Sequence, residues 1–392
     1  MAGNPRILHL ADTHVGKRQY GLEERRKDFS SAFEEAIEIA IKEEVEAVVH
    51  AGDLFDNRYP SAQDLSEVFN TLRLLREADI PFYGVVGNHE GKRGKDWLDL
   101  FEGLDLAVHL HSEPARLRDF YLYGMDYSGR SAERVNESVP APGQGERKVL
   151  VAHQLIALEG IPGSRELDFD GGDLSTYDSV LLGDYHEYLV WRKEGTLITY
   201  PGSTERFAAG ERRDRGVNLI ELKSGKIERF KLSTRPFLYL GQPSEPLKGG
   251  EGMREARAYQ DRMRGKVVCI YLKDPREARE IVDFCENKGA LTVRIFRVGD
   301  RSTEEDGEGD QGRPMESQAE EQGPQPLRSE EDVDLYLEDK FEEGDFESPQ
   351  LIESLDGIIR DVGPQGPADS QVDREVIEFL ESHLEGEGAE DR

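Results

Sequence analysis

Asp12 and His14 in "DTH", Asp53 in "GDLFD", Asn88 and His89 in "GNHE", His153 in "VAHQ", and Asp184 and His186 in "GDYH" are residues that can hold metal ions or move protons. Imidazole, carboxylate and amide oxygen together form a mixed nitrogen and oxygen donor set, which suits manganese, iron or zinc better than magnesium alone or a thiolate-seeking metal. So many donors exceed what one ion takes. They suit two divalent ions that share one bridging carboxylate, the arrangement that clamps the attacking and leaving oxygens of a phosphoester displacement. Each cluster alone is a weak signal, because a lone Asp-x-His at a strand end is more often structural.

The elements that must position these residues are legible as hydrophobic runs. "ILHLADTH" (7–14), "AVVHAGD" (47–53), "FYGVVGNHE" (82–90), "VLVAHQ" (149–154) and "SVLLGDYH" (179–186) are short apolar stretches that end in the polar clusters, the pattern of strands buried on both faces. Helical spacing lies between them, with Phe33, Ile37, Ala40 and Ile41 on one face of "DFSSAFEEAIEIAIKEE". Leu65, Val68, Phe69, Leu72 and Leu75 do the same in "SAQDLSEVFNTLRLLREA". Ser31 and Ser61 each stand three residues before an acid, Glu34 and Asp64, and read as N-caps. Alternating strands and helices predict a layered α/β domain over residues 1–230, with all five clusters on the edge where open sheets place their ligand crevice.

A smaller α/β unit follows at 235–300, around "KVVCIYL" and "LTVRIFRV". Residues 301–328 are rich in Glu, Asp, Gly, Gln and Pro and read as a disordered acidic linker, because they cannot bury enough apolar surface to fold. Residues 329–392 read as a helical tail whose short amphipathic stretches dock on a partner. The net charge of −31 is concentrated there: residues 301–392 hold 30 Asp and Glu against 7 Lys and Arg. The body is therefore only mildly acidic, and a nucleic-acid partner is not excluded. An acidic surface also fits a salt-rich cytoplasm. Two cysteines, Cys269 and Cys285, are too few for a disulfide framework or a zinc site and read as buried thiols. The apolar runs are strand-sized, far short of the roughly 20 residues of a membrane helix, and no secretory leader precedes the first strand, so a soluble, cytoplasmic protein is expected.

In order and spacing, "DTH", "GDLFD", "GNHE", the strand-end histidine and "GDYH" resemble the five motifs of calcineurin-like metallophosphoesterases. Within that superfamily, "LADTHVGKRQYG", "GDLFDNRYPS", "VAHQ" and "YPGSTERF" are most similar to the meiotic-recombination-eleven family of double-strand-break repair nucleases, with SbcD as bacterial relative, and to its archaeal members. The resemblance is close over residues 1–230 and loose over the cap. It implies a β-sandwich phosphoesterase domain flanked by helices, a smaller α/β capping domain and a helical tail that binds an SMC-like ATPase of the Rad-fifty type. It further implies a homodimer, through the helices at 61–79 and 95–104, that works as a manganese-dependent duplex 3'-5' exonuclease and single-strand endonuclease. Carried over by motif, Asp12, His14 and His186 bind the first Mn2+, Asp53 bridges, and Asn88, His153 and Asp184 bind the second. His89 then contacts the scissile phosphate or protonates the leaving oxygen.

Three positions depart from the family pattern. Glu90 follows His89 where the family has aspartate, and is expected to orient the imidazole from one methylene farther away. Asp184 replaces the first histidine of Gly-His-x-His, and Asp56 stands where some relatives have histidine. These changes keep two other readings open: a DNA-end-binding scaffold with weakened catalysis, and another phosphoesterase of the superfamily. For DNA phosphates the candidates are Lys17, Arg18, Arg58, Tyr59 and Arg206, with Arg212, Arg213 and Arg215 after it. His9 and His50 read as buried or supporting histidines. His109 and His111 in "HLH" read as a half-exposed strand edge with no acidic cluster nearby.

Overall fold

The computed structural model describes residues 4–297 apart from 91–95, 112, 144, 146, 158–165, 275 and 277, so the expected linker and tail lie outside the described residues. The apolar runs become strands of two stacked sheets. The first has the order β12 (Lys226–Lys231), β11 (Gly216–Glu221), β1 (Arg6–Leu10), β2 (Ala47–His50), β3 (Phe82–Gly84) and β4 (Val108–His109). The second has the order β5 (Ala115–Leu117), β6 (Phe120–Met125), β7 (Arg147–His153), β8 (Ser179–Gly183), β10 (Thr196–Tyr200) and β9 (Leu189–Lys193). β1 through β4 are mutually parallel, as are β6, β7, β8 and β10. Their carboxyl ends therefore reach the same rim of the sandwich, as the sequence predicts.

Side-chain alternation along each strand builds three layers of core. Ile7, Val49, Val151 and Leu181 pack between the sheets. Leu8, Leu10 and Val48 face the other way, onto α1 (Glu23–Lys42), α2 (Ala62–Glu77) and α3 (Trp97–Gly103). Leu150, Ala152 and Leu182 cover the far face together with Val135 of α4 (Ala132–Glu137). Each fully buried Val, Leu or Ile contributes about 1.5–3 kcal/mol, which is what fixes the register of strands this short.

Ser61 caps α2 as expected, in a reciprocal capping box with Asp64. Ser31 does not cap α1, which begins eight residues earlier at Glu23. The reason is that Arg25, Arg26 and Phe29 are buried in that extra length, and Arg26 pairs with Asp64 at 2.8 Å and Glu67 at 2.9 Å across the α1–α2 contact.

The smaller unit is a parallel sheet of β13 (Phe237–Leu240), β14 (Val267–Leu272) and β15 (Thr292–Arg297), with α5 (Glu251–Ala258) and α6 (Ala278–Asn287) packed on it. Cys269 and Cys285 are both buried free thiols in this unit. It is joined to the sandwich by Arg235, which pairs with Asp28 of α1 at 2.7 Å, and by an apolar contact of Ala209 and Tyr20 with Cys269, Tyr271 and Phe296.

Candidate dimetal centre

All eight residues singled out in the sequence meet where the two sheets end. Asp53 lies at the middle: its Oδ2 is 3.8 Å from His14 Nε2 and 3.3 Å from His153 Nε2, so one carboxylate touches both halves of the cluster. On one side are Asp12, His14 and His186, with the Nε2 atoms of the two histidines 3.3 Å apart. On the other, His153 Nε2 lies 3.0 Å from Asn88 Oδ1 and 3.8 Å from Asp184 Oδ1. His186 Nδ1 faces Glu211 at 2.8 Å and His153 Nδ1 faces the Ala51 carbonyl at 2.8 Å. With Nδ1 used as a donor, each ring turns its Nε2 lone pair into the centre, which is how proteins fix the tautomer of a ligating histidine.

Two buried atoms in this cluster, Asp12 Oδ2 and His14 Nδ1, have no hydrogen-bond partner. A carboxylate oxygen buried without a donor is costly, and a cation removes the cost. The donor set, the shared carboxylate and the orphaned oxygen together fit two divalent ions. Burial pushes Asp12 up to about 6. Burial would also raise Asp53, but His153 and His14 outweigh it and hold that carboxylate well below its usual range. His186 is carried to about 9 against burial by Glu211 and Asp12.

The backbone is shaped to bring these groups together. Asp12, His14, Asp53 and Asp184 all adopt positive φ, at 52°, 44°, 58° and 82°, conformations that store strain of order 1–3 kcal/mol each at functional sites. Gly87 permits the closest approach: a Cβ there would lie 2.0 Å from Asp53 Oδ1, so "GNHE" needs glycine in front of its ligand.

Glu90 is a correction. Its carboxylate accepts from Phe55 N at 3.1 Å and Gly87 N at 3.0 Å, so it ties the second motif to the third instead of reaching His89. Burial and the charge of Asp53 push it up to about 8. The imidazole of His89 is oriented by the Asp56 carbonyl, 2.7 Å from Nδ1. Its Nε2 is left facing the centre, 4.0 Å from Asp53 Oδ2.

Glu211, Phe207 and Thr13 were missed by the sequence reading. Glu211 fixes His186 and also accepts from Phe207 N at 2.8 Å. Phe207 packs its ring on His14 at 4.5 Å and His186 at 4.8 Å, and carries the Lys17 ammonium 3.4 Å above it. Thr13 Oγ1 meets His50 Nε2 at 3.0 Å, which gives His50 its supporting role. His9 is buried inside the sandwich, and burial holds it neutral, near 3.

Among the proposed phosphate contacts, Arg18 and Tyr59 are exposed at the rim, Arg58 is exposed beside Tyr59, and Lys17 pairs with Asp56 at 3.0 Å. Arg206 and Arg215 turn inward. Arg206 is 8% exposed and donates to Thr234 at 2.6 Å, and Arg215 pairs with Glu187 at 2.7 Å, so both brace the loop after "PGSTE".

The chain matches the model of the calcineurin-like phosphoesterase family over residues 5–194. It is 37% identical over 316 residues to the DNA double-strand break repair protein Mre11 of Halobacterium salinarum, covering 77% of this chain and 81% of that one. The chain belongs to the Mre11 family. The Haloferax volcanii member is 38% identical, covering 74% of this chain and 67% of that one. The Methanosarcina mazei member is also 38% identical, but there the chain spans only 49% of the relative's length. All three carry the name DNA double-strand break repair protein Mre11. Among the described residues, no helix is long and apolar enough to cross a membrane.

The histidines of "HLH" are not as the sequence suggested. His109 is buried, and its ring sits between Asp99 at 2.7 Å and Asp126 at 3.0 Å. Burial opposes its charge, but Asp126 and Asp99 prevail and carry it to about 9. A histidine raised in the folded state stabilises fully below its unfolded value near 6.5 and loses that contribution as pH climbs through 9. In EDTA, the urea midpoint of the parent chain should therefore exceed that of His109→Asn at pH 6, with the gap closing by pH 9.5. A gap independent of pH would show that packing alone sets the difference.

Proposed function

We propose that the chain is the nuclease subunit of a double-strand-break repair complex, hydrolysing DNA phosphodiesters with two divalent ions, manganese by preference. The observation that carries this reading is Asp53 shared between two clusters of nitrogen and oxygen donors within one buried centre. Asp12, His14 and His186 would hold one ion, and Asn88, His153 and Asp184 the other. When bound, such ions lower the pKa of water and stabilise charge on attacking and leaving oxygens.

The chain's own side chains do the rest. Asp56 O aims the His89 ring so that its Nε2 can deliver a proton to the departing oxygen. Arg18, Arg58 and Tyr59 at the rim, with Lys17 beside the centre, would hold the DNA backbone without reading sequence. A homodimer through α2 and α3, where Leu74 of α2 is 39% exposed, and an SMC-like ATPase bound by residues 329–392 complete the proposed assembly.

End-labelled duplex and single-stranded DNA, incubated with Mn2+ and with EDTA, test the reading. Metal-dependent release of nucleotides supports it. Hydrolysis of an aryl phosphodiester with DNA left intact would favour a different phosphoesterase, and no hydrolysis of either, with and without the ATPase, would favour a DNA-end scaffold.

Asp184 sets how strongly the centre draws phosphate. A third carboxylate beside Asp12 and Asp53 leaves two divalent ions about one charge less positive than a histidine would, so the bound water is less acidic. Its side chain is also 22% exposed, against 2% or less for His153 and Asp53. Asp184→His is expected to tighten the second ion on the order of tenfold and to move the pH optimum down. Manganese titration with a pH–rate profile checks both. An unchanged profile would mean that the aspartate serves as well as the imidazole.

A further inference from the structure

The residues of "HLH" are two apart in extended chain, and such residues project to the same side. His109 closes β4, His111 follows it, and their ring centroids are 4.1 Å apart. From the first turn of α3, Asp99 reaches His109 Nδ1 at 2.7 Å. One ligand atom from each of Asp99, His109 and His111 lies within 4.8 Å of the other two, so modest side-chain rotation would bring them to the roughly 3.3 Å spacing of ligands held about 2 Å from one tetrahedral ion. Asp126, at the end of β6, holds the opposite ring nitrogen, with both its oxygens 3.0 and 3.1 Å from Nε2.

That last contact gives the cluster the form of a metal site and not merely of an ion pair. A carboxylate on one imidazole nitrogen fixes the tautomer and presents the other nitrogen's lone pair to an ion. Asp126 would do for His109 what Glu211 does for His186. Carboxylates are in excess here. Asp96 lies beside the pair, Glu102 accepts from His109 N at 3.2 Å, and among the described residues the cation that meets Asp99 and Asp126 is His109.

We propose that Asp99, His109 and His111 form a third divalent-ion site, separate from the phosphoesterase centre, in which Asp126 orients His109. Two imidazoles and one carboxylate favour zinc, with water completing a tetrahedron. The ion would clamp α3 to the edge of the first sheet. It would also bear on the catalytic loop, because Asp126 Oδ1 accepts from Val86 N at 2.8 Å, two residues before Asn88.

The site is independent of the nuclease reading and can be counted apart from it. The full chain carrying His14→Ala, Asp53→Ala and His153→Ala, which removes the shared carboxylate and one histidine from each half of the main centre, is equilibrated with Zn2+ alone and its metal measured by mass spectrometry. About one zinc per chain is expected, lost on adding His111→Ala, whose exposed side chain supports no core. Cobalt in place of zinc should give visible absorption bands that vanish with the same substitution. If that variant does not fold, the parent chain should still hold one more zinc than either His111→Ala or Asp99→Asn. Equal zinc content in parent, His111→Ala and Asp99→Asn overturns the proposal and leaves His109 as an imidazolium between carboxylates.

Discussion

His89→Ala is expected to slow DNA cleavage by about 10²–10⁴-fold, the usual contribution of a positioned acid or base, while both ions stay bound. The separation follows from the geometry. His89 Nδ1 is committed to the Asp56 carbonyl, and its Nε2 faces the centre 4.0 Å from the shared carboxylate of Asp53. The ring is 32% exposed, the most open of the histidines in the cluster, as a group that meets substrate must be. Single-turnover cleavage, bound manganese and DNA affinity should be measured on one preparation. A fall in metal content would make His89 a ligand, and an unchanged rate would remove it from the chemistry.

Asp53→Ala should be more damaging, because it acts on both halves at once. Replacing even groups that only support a ligand costs roughly 10–100-fold in metal affinity, and Asp53 is the carboxylate placed between His14 and His153. Its other oxygen accepts from His89 N at 3.0 Å, so the loop that carries His89 loses an anchor as well. Expected are loss of both ions at micromolar manganese and cleavage at background. Metal analysis and the DNA assay decide it. Retention of one ion with full affinity would show that Asp53 belongs to one half alone.

What was legible in the sequence was local or serial. Each strand announced itself as an apolar run, and each motif sat where its run ended, so the rim and its eight residues could be assembled from order alone. Contacts between distant segments could not. Glu211 lies 25 residues from His186 with no periodicity to link them, and the acids around His109 come from α3 and from the residue that follows β6. The start of α1 was misplaced for a related reason. A serine before an acid looks like a cap until tertiary contacts bury the two arginines that precede it, and Arg26 finds its partners on another helix. Glu90 misled because one extra methylene changes what a carboxylate can reach: here, two backbone amides on neighbouring loops.

Four of the candidate ligand residues hold left-handed backbone conformations. A fold that holds these residues in such conformations leaves little to rearrange on binding, so a bound ion would act directly, by offsetting the crowding of the carboxylates. Stability then follows the free ion concentration logarithmically, about 1.4 kcal/mol for each tenfold rise per site once the ion exceeds its dissociation constant. The molecule is in effect a gauge. Its melting temperature, recorded against a buffered divalent ion without any DNA present, would report the affinity of each position in the centre, and a cell short of the ion that fills it would hold this subunit nearer to unfolding before any loss of cutting was felt.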